Sequence, residues 1–428
     1  VLKDASAAAI YGARSANGVI IITTKKGQEG KASVSYNGYC AVEKAARLLD
    51  MMDASDWRAY VQENNLESAI DYGSDTDWQQ AILRMGSSRS HGVSIQGGSA
   101  KSQYRASVTF LDRKGIVIDN DIQRLNADVS FVQKAMSDRL TINYSLLTTY
   151  EDWKDISFSG NVWQYVYNLN PTAPVYNEDG SYHLINTYLN YNPVSEILQT
   201  SMDKSRHYSQ GRVAADLKIL PCLSAGVSGS MSRNNFISGY YTPSTTETGA
   251  PMSGLGNRTT DYANMRLLEA NLTFNKESGL HSINAMAGYS WQQYVYEGFN
   301  ATNREFTTDV FKYNKLSAGN DLMDGDVNSY KNSSKLISFY GRVNYGYAGK
   351  YLLTATLRRD GSSKFGRNNK WGMFPSASFA WRMSSEDFLS AASWIDDLKL
   401  RVSYGITGNQ DIGDYKTLAI YGASGYYY

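Results

Sequence analysis

The feature that most constrains this chain is a two-residue alternation of apolar and polar side chains, which recurs along most of its length. In one such segment, the residues that alternate are Leu398, Lys399, Leu400, Arg401, Val402, Ser403, Tyr404, Gly405, Ile406 and Thr407. Successive side chains of a β-strand point to opposite faces of the sheet, so each segment has one apolar face and one hydrated face. A soluble β-sandwich shows the same period, because its outer face is also polar. The alternation therefore predicts an all-β chain without specifying its surroundings.

The lengths of the connections distinguish the two architectures. We expect strands at roughly 33–42, 90–97, 103–112, 121–132, 139–150, 206–219, 222–235, 262–275, 280–299, 335–347, 350–359, 371–383 and 397–407. Short turns alternate with long connections over 43–89, 151–205, 236–261 and 300–334, with the 113–120 and 384–396 links as exceptions. Outer-membrane barrels have short turns at one end and long loops at the other. The predicted fold is therefore an antiparallel transmembrane β-barrel, and a sandwich has no reason to sort its loops in this way.

The same alternation assigns side chains to the two faces of such a barrel. We expect four apolar residues to face lipid, namely Val213, Leu217, Leu400 and Val402. Their charged neighbours are expected to face the lumen or the plug, namely Arg212, Lys218, Lys399 and Arg401. Tyr345, Tyr347 and Tyr351 lie at a short turn, where the aromatic girdle of a barrel is found.

Two details of the last strands carry further expectations. Pro375 removes a ladder donor from a strand that should be internal, so we expect a bulge there. Arg358, Arg359 and Asp360 precede a Gly-Ser-Ser run, which predicts a hydrated turn at the strand end, above the lipid.

The first thirty residues differ from this pattern. Asp4 is placed to cap a short helical turn over 5–10, and Gly12 can end it in the left-handed conformation. Asn17-Gly18 is a turn signal, and residues 19–24 form an apolar, β-branched run that predicts a strand covered on both sides. The segment is therefore predicted to be a small buried α/β unit that precedes a long meander of β-strands.

The amino-acid sequence of several segments resembles the SusC/RagA branch of the TonB-dependent outer-membrane transporters. The blocks are LKDASAAAIYGARSANGVIIITTKKG, the segment at 339–382, the segment at 398–410 and the Gly-Gly hairpin at 91–115. The resemblance implies that residues 1–30 are the C-terminal end of a plug domain. It also implies that residues 31–428 are the N-terminal part of a barrel of about 22 strands, of which about 13 are present. We therefore expect this chain to be a fragment, with its signal peptide, energy-coupling peptide, N-terminal domain and remaining strands outside it.

The same resemblance implies a function. Such proteins import oligosaccharides, or in some members peptides, across the outer membrane of Gram-negative bacteria. A SusD-like surface lipoprotein serves as their lid, and the TonB–ExbB–ExbD complex supplies energy. Two alternatives stay open. A passive porin is disfavoured by the plug-like segment, and a soluble β-rich surface binding protein or adhesin is disfavoured by the sorted loops.

Composition argues against several other classes. The formal net charge of +1 gives no electrostatic basis for binding nucleic acid. Two cysteines, Cys40 and Cys222, make neither a disulfide framework nor a metal site, and the four histidines are scattered. Asp324-Gly325-Asp326 lacks the closing Glu of a calcium loop. We therefore expect no catalytic residues, no metal and no cofactor, and a protein that is not an enzyme.

The long connection at 151–205 carries the candidate binding residues. It is dense in Trp and Tyr among Asn and Asp, a composition suited to stacking on sugars or peptides. We expect Trp163, Tyr165, Tyr167 and Asn168 to contact substrate or the lipoprotein lid. The alternative is that these rings pack the loop onto itself. Two shorter segments, 53–65 and 76–85, are predicted to be helices within a loop, the second capped by Thr76.

Overall fold

The computed structural model describes residues 9–22, 24–156, 162–185, 191–389 and 394–419. Its strands are β1 (Gly30–Glu43), β2 (Gly86–Gly98), β3 (Ser102–Lys114), β4 (Asp121–Ala135), β5 (Leu140–Lys154), β6 (Ser201–Leu220), β7 (Leu223–Thr242), β8 (Leu255–Ser278), β9 (His281–Phe306), β10 (Gly319–Asp321), β11 (Val327–Tyr347), β12 (Tyr351–Ser362), β13 (Trp371–Arg382) and β14 (Lys399–Gly405). Its α-helices are α1 (Ala54–Glu63), α2 (Trp78–Ala81), α3 (Val162–Asn168) and α4 (Pro193–Gln199).

All fourteen strands belong to one antiparallel sheet in which sequence neighbours are also spatial neighbours. The single departure is the short β10, which pairs with β9 beside the β9–β11 ladder. Within the described residues the sheet is open, ending at β1 and β14. These observations confirm the predicted meander and a partial barrel wall. Among the described helices, none is long and apolar enough to cross a membrane.

Turns and loops are sorted as expected. The β6–β7 turn is closed by the Leu220–Leu223 pair, and the β11–β12 turn by Tyr347–Tyr351. In the latter, Ala348 (φ 52°) and Gly349 (φ 67°) both have positive φ, as a type I′ turn requires to match the strand twist. The connections at the opposite end are mostly longer and carry all four α-helices of the described residues.

The wall curves around one face, which we call the inner face. Ser130 of β4 and Tyr340 of β11 line the same cavity, of about 280 Å³. Lys26 also lines it and belongs to the stretch before β1, residues 9–29, which we call the N-terminal segment. In a flat sheet, six strand spacings would separate β4 from β11 by about 29 Å. Strong curvature is therefore needed to bring them together.

The two faces differ in polarity as the alternation predicts. Along β12, Leu353, Ala355 and Leu357 are exposed on the outer face, whereas Thr356 and Arg358 are buried on the inner face. Val213, Leu400 and Val402 are likewise exposed by half or more of their surface. Arg212 lines the inner cavity beside Lys26, so it lies on the face expected for it.

The N-terminal run departs from the expectation. Residues 1–8 and 23 lie outside the described residues, and with them the predicted cap at Asp4. Residues 9–11 form a 3₁₀ turn, and Gly12 takes the left-handed conformation at φ 58°. Ile20, Ile21 and Ile22 belong to no strand of the sheet and are largely exposed. Among the described residues this run therefore forms no strand and is not covered on both sides, because the described strands offer it only their polar inner face.

Three smaller expectations also need correction. Asp77, rather than Thr76, caps α2, since its carboxylate accepts from the Gln80 amide. Pro375 makes no bulge in its ladder with β12, because it lies just beyond the β13–β14 ladder that begins at Ser376. Its missing donor therefore faces the end of a ladder, where no partner is needed. Arg358 and Asp360 are buried inside β12 rather than hydrated in a turn.

Candidate functional site

The N-terminal segment is fastened to the inner face by a buried ion pair. Arg358 and Asp360 project from the same face of β12 and pair at 2.6 Å, with side chains 6% and 2% exposed. The guanidinium also donates to the Ile10 carbonyl at 2.6 Å, and the carboxylate accepts from the Ala13 amide at 2.7 Å. We call this arrangement the latch. It joins residues nearly 350 positions apart in sequence, so it holds the segment and the wall in one orientation.

The turn at Gly12 fits closely against the latch. A Cβ on Gly12 would overlap the Asp360 carboxylate and the Arg358 guanidinium. Positive φ and the lack of space both require glycine here. Ser338 of β11 accepts a further hydrogen bond from Arg358 at 2.7 Å, and the Tyr340 ring lies 5.4 Å from the guanidinium carbon. All polar groups of the latch therefore have partners, which a buried ion pair needs.

Two further contacts extend the anchoring along the segment. Arg14 donates to the Gln292 side chain of β9 at 2.7 Å and forms an isolated bridge with Asn409. Gly27 lies so close to the backbone of Tyr104 on β3 that any Cβ would collide with it. The segment therefore crosses the inner face from β12 to β3 before entering β1.

The long connections form a second unit, which we call the loop layer. It contains the main hydrophobic cluster of the described residues, formed by Trp78, Ile82, Val117, Val162, Val166, Leu169, Ala173, Val194 and Ile197. These residues come from three separate connections, and the Trp78 indole joins two of them by donating to the Asn170 carbonyl at 3.0 Å. The loops therefore fold on one another at one end of the sheet.

A buried polar network ties this layer to the β7–β8 connection. The Glu247 carboxylate accepts from the amides of Ile185 and Asn192, each at 2.7 Å. Glu196 on α4 accepts from the Thr248 amide and hydroxyl, and burial raises the pKa of this carboxyl. Sequence reasoning missed these residues; the Asn192-Pro193 pair, a capping residue before a proline at the first helical position, is the signal that marks α4.

Helix α3 carries the four predicted binding residues and separates them into two groups. Val162, Val166 and Leu169 follow helical spacing and face the cluster. Tyr165 is buried with them and packs on Tyr191 at 5.1 Å, so its ring supports the loop. Trp163 and Tyr167 are one helical turn apart, with ring centroids 6.0 Å apart and planes 27° apart. Tyr167 and Asn168 are exposed, whereas Trp163 is partly buried and packs against the cluster, so the stacked pair of rings lies at the edge of the cluster beside an exposed amide.

No group of three or more His, Cys, Asp or Glu that could hold a metal occurs among the described residues. Asp326, from the Asp-Gly-Asp turn, pairs with Arg304 at 2.6 Å instead of facing an open site. His207 stacks on Tyr150 at 4.0 Å, and Thr148 is its hydrogen-bonding neighbour.

Comparison with known proteins agrees with this architecture. The family model described as "TonB dependent receptor-like, beta-barrel" matches residues 205–426. TonB-dependent receptor P3 of Formosa agariphila is 34% identical over 98% of this chain and 42% of its own length. TonB-dependent receptor SusC of Bacteroides thetaiotaomicron is 33% identical over 97% of this chain and 43% of its own length. Both relatives are named as receptors, and this chain spans less than half of their length.

Solved structures show the same fold. The RagAB peptide importer in its open-open state superposes with a TM-score of 0.84 at 20% identity, covering 100% of this chain and 52% of that chain. The structure of the RagAB peptide transporter gives a TM-score of 0.82, also at 20% identity. With the family model matching half of the sequence and the relatives aligning over nearly all of it, the chain belongs to the TonB-dependent receptor β-barrel family and is similar to its SusC-like members.

Proposed function

We propose that this chain supplies the end of the plug and the first part of the wall of an energy-coupled importer in the outer membrane of a Gram-negative bacterium. In this proposal residues 1–30 are the plug end and residues 31–428 are the barrel wall with its extracellular loops. The observation that carries it is the latch, because a passive porin needs no segment fastened across its inner face. The exposed apolar residues along β12 support the membrane location, since a soluble protein would not leave such a band in water.

The proposed substrate is an oligosaccharide, with a peptide as the alternative. The resemblance to the SusC/RagA branch favours the first by analogy, and the name of the RagAB peptide importer favours the second. The proposed partners are a SusD-like surface lipoprotein above the loops and the TonB–ExbB–ExbD complex on the other side.

Uptake measurements test this function. A strain lacking the full-length gene should lose growth on one class of polysaccharide or peptide and regain it on complementation. Uptake of the labelled substrate should stop when an uncoupler dissipates the proton gradient. Uptake that persists with the uncoupler would support a passive pore, and recovery of the protein in the soluble fraction would support a surface binding protein.

Within the loop layer, we propose that Trp163, Tyr167 and Asn168 contact the substrate or the lid, and that Tyr165 supports them from beneath. A flat exposed ring beside an amide suits stacking and hydrogen bonding. Replacing Trp163 and Tyr167 together by Ala should reduce uptake or lipoprotein association at least tenfold. Tyr60 on α1 is a matched control, since it is an exposed ring of the same layer outside α3. Equal loss in the Tyr60→Ala variant, or no loss in either, would contradict the assignment.

A further inference from the structure

The outer face of the wall changes abruptly from apolar to basic on three strands, β7, β8 and β11, of the stretch β7-β8-β9-β11. On β7 and β8, Met231 and Leu268 are exposed at the upper edge of the apolar band. The next outward positions towards the loops are Arg233 and Arg266, and on β11 Lys335 lies beyond Phe339 and Ile337 in the same way. All three cations are exposed. They therefore stand where an embedded barrel meets the head groups of the outer leaflet.

Arg233 and Arg266 line an open cavity of about 430 Å³, and Lys335 lies near it on β11. It is lined by Met231, Arg233, Asn264, Arg266, Gln293, Val295 and Lys331. In the ladders Gln293 lies opposite Arg266 on one side and Lys335 on the other, which places the two cations about 10 Å apart across two strand spacings. An anionic group above Gln293 would thus have a cation on either side.

The charge of this basic cavity is only partly balanced within the wall. Lys331 pairs with Glu297 at 2.7 Å. Arg233 uses neutral partners, donating to the Asn235 side-chain oxygen at 2.9 Å and lying 5.6 Å from the Tyr262 ring. The cavity therefore keeps an excess of positive charge facing outwards.

Directly below lies an apolar groove of about 600 Å³ on the same face. Its apolar lining includes Phe131, Tyr144, Leu146, Val213 and Met231, with Gly211 and Gly229 forming its floor. A Cβ on either glycine would meet nothing within 4 Å, so the missing side chains leave real space. The groove and the basic cavity share Met231 and Arg266, which makes them one continuous amphipathic surface.

We propose that this surface binds a phosphate-bearing acylated lipid of the outer leaflet, with its phosphate in the basic cavity and an acyl chain in the groove. Guanidinium groups donate strong, charge-assisted hydrogen bonds to phosphate oxygens. The groove suits a hydrocarbon chain because it faces the apolar interior of the bilayer. A soluble phosphate compound would use the cavity alone, and the apolar groove that continues from it commits the site to a lipid. The inference rests on the proposed membrane location of the wall.

Native mass spectrometry of the full-length protein tests it. The delipidated protein in detergent is titrated with diphosphoryl lipid A, with the same lipid lacking its phosphates, and with inorganic phosphate. We expect the diphosphoryl lipid to bind at least tenfold more tightly than the dephosphorylated lipid, and inorganic phosphate not to compete at equal concentration. Arg233→Gln with Arg266→Gln should weaken binding at least tenfold, whereas Lys101→Gln with Lys276→Gln, which removes two exposed cations from the short-turn side, should not.

A second variant tests the groove separately. Gly229→Leu places a side chain in open space, so the barrel should assemble normally while lipid binding weakens. Unchanged binding in both variants, or equal binding of inorganic phosphate and lipid, would overturn the proposal. Substrate uptake and outer-membrane fractionation of the same variants test the proposed function separately. If the proposed function is wrong, the protein will not be recovered in the outer-membrane fraction, whereas a wrong lipid proposal changes only the lipid selectivity.

Discussion

Removing the carboxylate of the latch should release the N-terminal segment from the wall. In Asp360→Ala the Ala13 amide loses its acceptor, and the Arg358 guanidinium remains buried without a counter-ion. Breaking a buried pair by removing one partner destabilises by about 3–5 kcal/mol. Part of this lost stability should make residues 9–14 detach more easily from the wall, because Arg358 also holds the Ile10 carbonyl.

Hydrogen–deuterium exchange of the full-length protein measures this opening. If about 3 kcal/mol acts on the segment, exchange over residues 9–14 should accelerate roughly 100-fold, since each 1.4 kcal/mol is tenfold. Arg359→Ala is the matched control, because Arg359 is the adjacent residue on the outer face and lies over Trp371 at 5.0 Å. Exchange in Asp360→Ala that equals the wild type, or that equals the Arg359→Ala variant, would refute the latch.

Three further outcomes follow from the same geometry. Val402→Arg should impair assembly more than Ser403→Arg, because an Arg that faces lipid near the midplane costs about 2–4 kcal/mol, whereas an Arg on the inner face costs much less. Heat-modifiable gel migration measures the folded fraction. Gly12→Ala should accelerate exchange of the segment as Asp360→Ala does, since it adds a left-handed Ala at about 1–2 kcal/mol and a collision with the latch. Gly325→Ala is the control, because Gly325 also has positive φ but has open space around it, and this variant should leave exchange of the segment unchanged. Glu386 interacts with the Tyr351 hydroxyl, Lys350 and the Trp381 indole, which lower the pKa of its carboxyl to about 2. Its contribution to docking the 383–389 link is therefore complete near neutral pH and is lost as the pH falls from the ordinary carboxyl pKa of 4.5 towards 2. Glu386→Gln should remove this pH dependence, which Trp381 fluorescence measures.

The sequence predicted every long strand of the sheet but shortened most of them. Alternation identifies a strand only where one face meets lipid and the other meets water. Beyond the apolar band both faces are polar, as along Asn257–Tyr262 of β8, so the pattern fades while the ladder continues. β8 and β9 have 24 and 26 residues, whereas about 9–11 suffice to cross a bilayer.

The latch was missed although its signal was present. Arg358 and Asp360 share the parity of Thr354 and Thr356, which places them on the inner face, but the glycine and serines that follow suggested a strand end. Strand β12 continues to Ser362, so these charges lie within the ladder. No local pattern could give their partners, because Ile10 and Ala13 are nearly the whole chain away.

The loop residues were only partly predictable for a different reason. Aromatic density identified the residues that α3 carries but not the helix itself, and whether a ring lies inside or outside depends on which face of the helix packs against the cluster. Val162, Val166 and Leu169 decide that face, and they place Tyr165 inward while Trp163 and Tyr167 stack together. The apolar run at 19–24 was predicted to be a covered strand, and the described residues supply no partner strand for it.

Site-directed spin labelling along β12 in the reconstituted full-length protein tests the membrane wall most directly. Cys40 and Cys222 are free and would first be replaced by Ser. Labels at Leu353, Ala355 and Leu357 should be accessible to lipid-soluble oxygen and protected from a water-soluble nickel relaxant, while labels at Thr354 and Thr356 should not share that oxygen accessibility. A two-residue period of this phase is the predicted result. Uniform accessibility, or a period of opposite phase, would contradict the assignment of the apolar outer face to lipid.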